Sequence, residues 1–385
     1  MKKIGLFLTH DRQTGGHFQY GQTMLEAVNA LPRDEFSVVV ACTSIMWLDY
    51  LKKYQLETVF VEQGFWSRAL GKVLREVGFP LRLWRKLSPF FHPTVKALLQ
   101  QNCDLWIFPS QSRWNCQIPV PALACIHDLM HRYEPRFPVI PARELEWLSR
   151  NMCTYCTGII VDSDVGKQHV KESYGTSEDR IYVLPFIAPK YIYSQEPAKN
   201  DYELPEKFIF YPAQFWEHKN QKNLISACAM LKKDLPDLKL VLAGIKRNGY
   251  QALMNQIREL HLVDDVIFLG YVPDEDMASV YRRARAMVMP TFFGPTNIPP
   301  LEAFAAGCPV AISGIYGMPE QVGDAALLFD PNSVDEIADC IKRLWLYDDL
   351  CIDLAIKGKL KAATWGQQQF NARVKEIIEL SLEKL

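Results

Sequence analysis

Short apolar, β-branched runs alternate with amphipathic segments along the first half of the chain. The runs are IGLFLTH, FSVVVAC, ETVFVEQ, DLWIFPS, ALACIHD and GIIVDSD. Each predicts a strand, and the helical patterns between most of them predict βαβ units and a parallel sheet. After Val183 the pattern breaks into LPFIAPKYIYSQEPAKNDYELPEK, whose prolines and polar residues predict a linker. Alternation then resumes with FIFYPAQ, LKLVLAG, DVIFLGY, AMVMP, CPVAIS and AALLFD, separated by helical patterns such as NQKNLISACAMLKK and SVDEIADCIKRLW. The last of these opens with a capping-box pattern, Ser333 followed by Glu336. The expected organisation is α/β with two Rossmann-like domains, 1–188 and 207–365, joined by a linker at 189–206 and closed by a helix at 366–385. Parallel sheets bind ligands beyond the carboxyl ends of their strands, so two such domains facing each other are expected to form a central cleft holding two substrates.

Composition narrows the class. The chain has 385 residues, 49% hydrophobic and 23% charged, enough for two packed domains and too apolar for disorder. Its formal charge of -1 gives no whole-molecule basis for nucleic-acid binding, which needs a clustered cationic excess. Ten cysteines are scattered, and only Cys153 and Cys156 have metal or redox spacing. Their helical context favours core packing over a metal site. Unpaired thiols and an opening strand, KKIGLFLTH, without a signal-peptide pattern predict a cytoplasmic protein. From Trp66 to His92 six Lys or Arg stand against one Glu, interleaved with Trp, Leu and Phe. That pattern suits either an anionic membrane surface or a solvated helix with core-facing aromatics.

Three regions carry candidate chemistry. In THDRQTGGHFQYGQTMLEAV, Gly15 and Gly16 follow the first strand and lead into a helix, a place for close backbone approach to a phosphate or sugar, or an ordinary tight turn. In CIHDLMHRYEPRFP, His127 and Asp128 end a strand, where they could donate to and accept from sugar hydroxyls, and His131 is close by. In FYPAQFWEHKNQKNL, Lys219 lies between a strand end and a helix start, where an ammonium could meet a nucleotide diphosphate. TNIPPLEAFAAG begins another helix, with Pro299 and Pro300 suited to its first turn and Glu302 expected within that turn. On its own Glu302 reads as an ordinary helix-start acid.

FIFYPAQFWEHKN, VIFLGYVPDEDMASVYRRARAMVMPT, FGPTNIPPLEAFAAGCPV and GMPEQVGDAALLFDPNS, in this order, resemble the family 4 glycosyltransferases of the GT-B fold. The likeness is specific from Phe208 to Ser333 and looser in the first half, over TGGHFQY, IHD and VDSDVGKQHV. ATWGQQQFNARVKEI is similar to the family's closing segment, whose last helix crosses back onto the first domain. The resemblance implies sugar transfer from a nucleotide donor with retention at the anomeric carbon and without a metal or other cofactor. It implies that Glu302 holds the ribose hydroxyls, that Lys219 neutralises the leaving diphosphate, and that His127 positions the transferred sugar. Donor contacts are also expected from Gly15, Gly16, Gln214, Thr296, Asn297 and Ile298, and acceptor-side contacts from Asp128 and His131.

Two positions depart from the family pattern. Gln214 stands where an Arg is frequent, and Gly294, eight residues before Glu302, stands where a first Glu is usual. These mark either a decayed, non-catalytic nucleotide-sugar binder or a subgroup in which GPTN rebuilds sugar recognition; persistence of Lys219, Glu302 and the helix starts favours the latter. Epimerase and phosphorylase readings share the architecture but fit PPLEAFAAG less well or lack an identifiable cofactor lysine. Resemblance to bacterial surface-polysaccharide enzymes suggests a GDP-mannose-type donor first and dTDP- or UDP-sugars next. A saccharide or polyprenyl-linked acceptor follows, with membrane-surface contact at the cytoplasmic face.

Overall fold

The computed structural model describes residues 1–11, 14–62, 79–137, 141–197 and 199–385. The chain divides into two compact units, Met1–Leu129 with Ile140–Pro185 and Gln367–Leu385, and Met130–Val139 with Phe186–Gly366.

The first unit is built on a parallel sheet of β1 (Lys2–Leu8), β2 (Phe36–Cys42), β3 (Glu57–Phe60), β4 (Leu105–Phe108), β5 (Ala122–Cys125), β6 (Gly158–Val161) and β7 (Ile181–Val183). Their order across the sheet is β3-β2-β1-β4-β5-β6-β7. β4, β5 and β6 are buried throughout, which is why they read as unbroken apolar runs. β7 is the strand that the apolar pattern does not reveal; at three residues it is too short to show a period. The final helix, Gln367–Leu382, buries Phe370, Val374, Ile377 and Ile378 in this same unit. Gln367 donates to the Thr23 carbonyl and Arg373 to that of Val183, joining the helix to the first crossover helix and to β7.

The second unit carries β8 (Ile209–Pro212), β9 (Leu240–Ala243), β10 (Val266–Gly270), β11 (Ala286–Met289), β12 (Val310–Ser313) and β13 (Ala326–Phe329). All pairs are parallel, in the order β10-β9-β8-β11-β12-β13. The chain winds outward from β8 to β10, then returns to lay β11 against the free side of β8. That reversal leaves a crevice beyond the carboxyl ends of β8 and β11, where neighbouring crossovers diverge to opposite faces. Helix Val334–Leu346 is capped as its pattern suggests on one side only. Ser333 Oγ accepts from the Glu336 amide, but the Glu336 carboxylate reaches the amide of Asp330 and not that of Ser333.

The described residues of 189–206, expected as a linker, group with the second unit and are anchored to it. Ile192 is buried, and Asp276, fully buried, accepts from the Lys199 amide, the Asn200 side chain and the Tyr202 hydroxyl. Burial would raise the Asp276 carboxyl, but these hydrogen bonds outweigh it and hold the group below its ordinary range. Polar residues that look like a solvated tether are thus donors to buried acids. The helix Met130–Tyr133 also groups with this unit: Tyr316 donates to the Tyr133 carbonyl, and Phe137 stacks on Phe292 at 5.2 Å.

Of the basic-aromatic segment, the part from Trp66 to Gly78 lies outside the described residues. The rest forms helix Leu81–Phe91 in the first unit. Trp84 and Ser88 face the interior, and Arg85 is spent on the carbonyls of Cys116 and Ile118. Leu83, Leu87, Phe90 and Phe91 remain exposed, Phe90 to 83%, beside Arg82 and Lys86. No helix among the described residues is long and apolar enough to cross a membrane. Cys153 and Cys156 are both buried, and the Cys156 thiol donates to the Asn115 carbonyl, so the pair is part of the core.

Candidate functional site

Two loops border the crevice of the second unit. One, from Ala213 to Asn220, follows β8; the other, from Pro290 to Asn297, follows β11. Asn220 joins them. It adopts φ 56°, caps helix Gln221–Leu231 by accepting from the Asn223 amide, and donates through Nδ2 to the carbonyls of Pro290 at 2.8 Å and Pro331 at 2.9 Å. The His218 carbonyl adds two links, accepting from the Phe292 amide at 2.8 Å and the Thr291 hydroxyl at 3.2 Å. Tyr211 donates to the Lys219 carbonyl, fixing the backbone that carries that ammonium. Lys219 is half-buried on this braced loop. Asn220 and His218 are not singled out by the sequence; the Asn that opens the NQKNL helical pattern is the available signal for the first.

The loop after β11 answers the question posed by Gly294. Its φ of 137° is one that favours glycine, and a Cβ there would lie 2.7 Å from Asn297 Nδ2. A glutamate at 294 would meet the Asn297 side chain before it met any ligand. Asn297 is itself fastened by Gln321, which donates to its carbonyl at 2.7 Å and accepts from its amide at 3.0 Å. Its Nδ2 is buried without a protein partner, as is Nδ1 of His218. Helix Ile298–Ala306 begins immediately after Asn297. Pro299 and Pro300 carry no N–H, and the Asn297 amide is already used, so the first-turn donor left for a ligand is the Ile298 amide. Thr296 is half-buried in the same loop.

Glu302 does not lie in the first helical turn. It is one turn further on, 3% exposed, and the helix-dipole explanation falls away. Tyr281 donates to one carboxylate oxygen at 2.7 Å and Tyr191 to the other. Burial pushes the Glu302 carboxyl up, the two hydroxyls pull it back, nearby Asp274 adds to the rise, and the net displacement is upward. Each oxygen retains a second acceptor position.

Gln214 is engaged with protein: its Oε1 accepts from Trp216 Nε1 at 3.1 Å and Arg247 Nε at 2.9 Å.

In the first unit, Gly15 precedes helix Gly16–Asn29 with φ 61°, and its carbonyl accepts from the Phe18 amide. His10 and His17 stack at 5.0 Å, and His17 lies 5.2 Å from His127. His127 Nε2 is 2.8 Å from the Pro109 carbonyl; a carbonyl only accepts, so this nitrogen carries the proton. Burial pushes His127 down to about 4, with the Pro109 bond opposing and His10 assisting, so the ring is neutral near pH 7. The Asp128 carbonyl accepts from Gln111. His131, expected beside Asp128, falls in the other unit with Met130–Tyr133. His10 and His17 were missed although they flank the Gly pair in THDRQTGGHF. Among the described residues no cluster of three His, Cys, Asp or Glu has metal-holding geometry.

Residues 194–361 match the family described as glycosyl transferases group 1. An O-antigen chain mannosyltransferase B of Escherichia coli is 29% identical over 187 residues, 47% of this chain and 49% of that protein. The O-antigen chain mannosyltransferase RfbU of Salmonella typhimurium is 26% identical over 220 residues, 57% of this chain and 59% of that one. The chain therefore spans about half the length of the curated relatives it matches. The structure of HepE from Anabaena in complex with UDP and glucose superposes with a TM-score of 0.75 at 17% identity, covering 98% of this chain and 100% of HepE. At that identity the likeness shows the fold, two parallel-sheet Rossmann-like domains as in the GT-B glycosyltransferases.

Two outcomes test this geometry. Gly294→Ala is expected to lower the unfolding free energy by about 1–3 kcal/mol, and by less when Asn297→Ala has removed the opposing amide; denaturant titration of the single and double variants measures the coupling. Equal cost in both backgrounds would show that Asn297 is not what excludes a side chain. For His127, the folded group binds its proton near 4 and the unfolded one near about 6.5. Its contribution to stability is therefore full above the unfolded value and is lost as pH falls toward 4. His127→Gln should flatten that part of the stability–pH curve; superimposable slopes would contradict the assignment.

Residues 194–361 match the glycosyl transferases group 1 family, and the braced loops beyond β8 and β11 lie within that match as the candidate site.

Proposed function

We propose that this chain is a retaining glycosyltransferase that moves a mannose-like hexose from a nucleotide sugar to a saccharide acceptor in cell-surface polysaccharide synthesis. The carrying observation is that Lys219, Asn297 and Glu302 belong to elements bordering the one strand-order reversal in the unit that carries the group 1 match. The relatives named as O-antigen mannosyltransferases favour a GDP-mannose-type donor, ahead of dTDP- and UDP-sugars. Lys219 neutralises charge developing on the leaving diphosphate, and the Ile298 amide at a helix start adds a donor to the same charge. Glu302 uses one acceptor position of each oxygen on a tyrosine and offers the others to the ribose diol. Asn297 Nδ2 donates to a sugar hydroxyl, taking over recognition from the carboxylate that Gly294 lacks. No metal enters this scheme. The first unit receives the acceptor, with neutral His127 as a hydrogen-bonding partner for sugar hydroxyls and Asp128 beside it.

The alternative, a nucleotide-sugar binder without turnover, is separated by one experiment. Purified protein is offered GDP-mannose, dTDP-sugars and UDP-hexoses, read both by thermal stabilisation and by nucleotide release with and without saccharide acceptors. GDP-mannose is expected to stabilise and to turn over, and Lys219→Ala to lower kcat/KM by on the order of 100-fold, as removal of a charge-stabilising group does. Stabilisation without release under every acceptor condition would establish the binder instead.

The exposed face of helix Leu81–Phe91 supports a lipid-linked acceptor at a membrane surface, because Leu83, Leu87 and Phe90 recur on one face beside Arg82 and Lys86. Sedimentation with phosphatidylglycerol-containing vesicles in low salt is expected, weakened by Leu87→Glu with Phe90→Glu. Binding that ignores both these changes and the lipid charge would remove the membrane role.

A further inference from the structure

The loops after β8 and β9 are held together more tightly than two surface loops need be. The ladder of these strands continues beyond them: the Ala213 amide donates to Ala243, the Phe215 amide to Ile245, and the Gly249 amide to Phe215, at 2.8, 3.1 and 2.9 Å. Gly244 makes this approach feasible. Its φ is 148°, and a Cβ on it would stand 2.3 Å from the Ala213 carbonyl oxygen. Asn248 adds a side-chain link by accepting from the Glu217 amide.

This frame presents one arginine. Arg247 donates through Nε to Gln214 Oε1 at 2.9 Å, and its guanidinium lies 5.2 Å from the centroid of the Trp216 ring. Trp216 Nε1 donates to the same Gln214 oxygen, so anchor and stacking surface are fixed to each other. Arg247 is exposed, and among the described residues no carboxylate pairs with it and no acceptor takes its two terminal nitrogens. An arginine tied at Nε and stacked on an indole keeps its outer fork in a set orientation. That is the arrangement suited to two oxygens of one anion. Lys219 stands on the same β8 loop as Gln214, five residues on.

We propose that Arg247 is a second cation for the donor's diphosphate, and that Gln214 is the positioning residue that holds it. The inference rests on the glycosyltransferase reading above and names a further binding residue of that site. In this account Gln214 does not mark a missing charge. The charge comes from the neighbouring loop, and the amide oxygen at 214 directs it.

Calorimetric titration with GDP, UDP, GMP and guanosine tests this. Arg247→Ala is expected to weaken nucleoside diphosphate binding by about 10- to 100-fold, to weaken GMP less and to leave guanosine unchanged, with Arg247→Lys intermediate. Gln214→Ala should weaken diphosphate binding in the native background and add nothing once Arg247 is alanine, a coupling that a merely structural glutamine would not show. Unchanged diphosphate affinity in Arg247→Ala, or an equal loss for guanosine, would overturn the proposal while leaving the transferase reading in place. Native protein that binds neither of these diphosphates nor dTDP would overturn both.

Discussion

A carboxylate buried without a cation must be held by hydrogen-bond donors, and that requirement organises the second unit around Glu302. Removing water from an ionised carboxyl costs several kcal/mol unless its oxygens are satisfied. Here the donors are the hydroxyls of Tyr281, from the helix before β11, and Tyr191, from the stretch 186–206. Because both tyrosines are themselves buried or packed, the acid fixes where these elements lie relative to the helix that follows the β11 loop. The Pro-rich stretch is drawn onto the unit for this reason, and Asp276 repeats the device with three further donors from the same stretch. Truncating an acid of this kind would leave its donors buried and unpaired, at a cost of about 1–3 kcal/mol for each one.

The crevice depends on a second constraint, the meeting of the β8 and β11 loops. Strand order alone opens a gap there, but open loops would not present groups at fixed positions. Asn220, buried and in a left-handed conformation, closes that freedom by serving as helix cap and inter-loop donor at once. A helix cap alone contributes about 1 kcal/mol; its larger consequence is that Lys219, the preceding residue, is carried by a backbone with little latitude. Preorganised charge of that sort is what stabilisation of a leaving group requires.

Much of this architecture is legible in the sequence. Apolar runs identify twelve of the thirteen strands, half of which are buried throughout and so cannot hide their composition, and β7 escapes because three residues carry no period. The domain pattern was less legible where chemistry is local. SQEPAKNDY reads as a tether since nothing in its composition announces that Asn200 and Tyr202 will find a buried aspartate 76 and 74 residues away. Pro299 and Pro300 signal a helix start and point to Glu302 in its first turn; the start is there, but the acid is a turn deeper. Likewise the side chain of Gln214 reads as a lost arginine in sequence, and only the loop contacts reveal that it binds one.

The same distinction bears on whether the site is decayed. A site relieved of function is free to lose polar groups that burial makes costly, each worth about 1–3 kcal/mol when left without a partner. Asn297 Nδ2 and His218 Nδ1 are two such atoms, and they belong to the two loops that border the crevice. Gly294 fits the side chain of Asn297 so closely that any larger residue would displace it. The absence of a carboxylate at 294 and the presence of an unpartnered amide at 297 are therefore one arrangement, because the Asn297 side chain fills the space that a residue larger than glycine at 294 would need. In the proposed site a carboxylate would accept from sugar hydroxyls and repel a diphosphate, whereas an amide hydrogen would donate to the hydroxyl oxygens and leave the positive field of Lys219 undiminished.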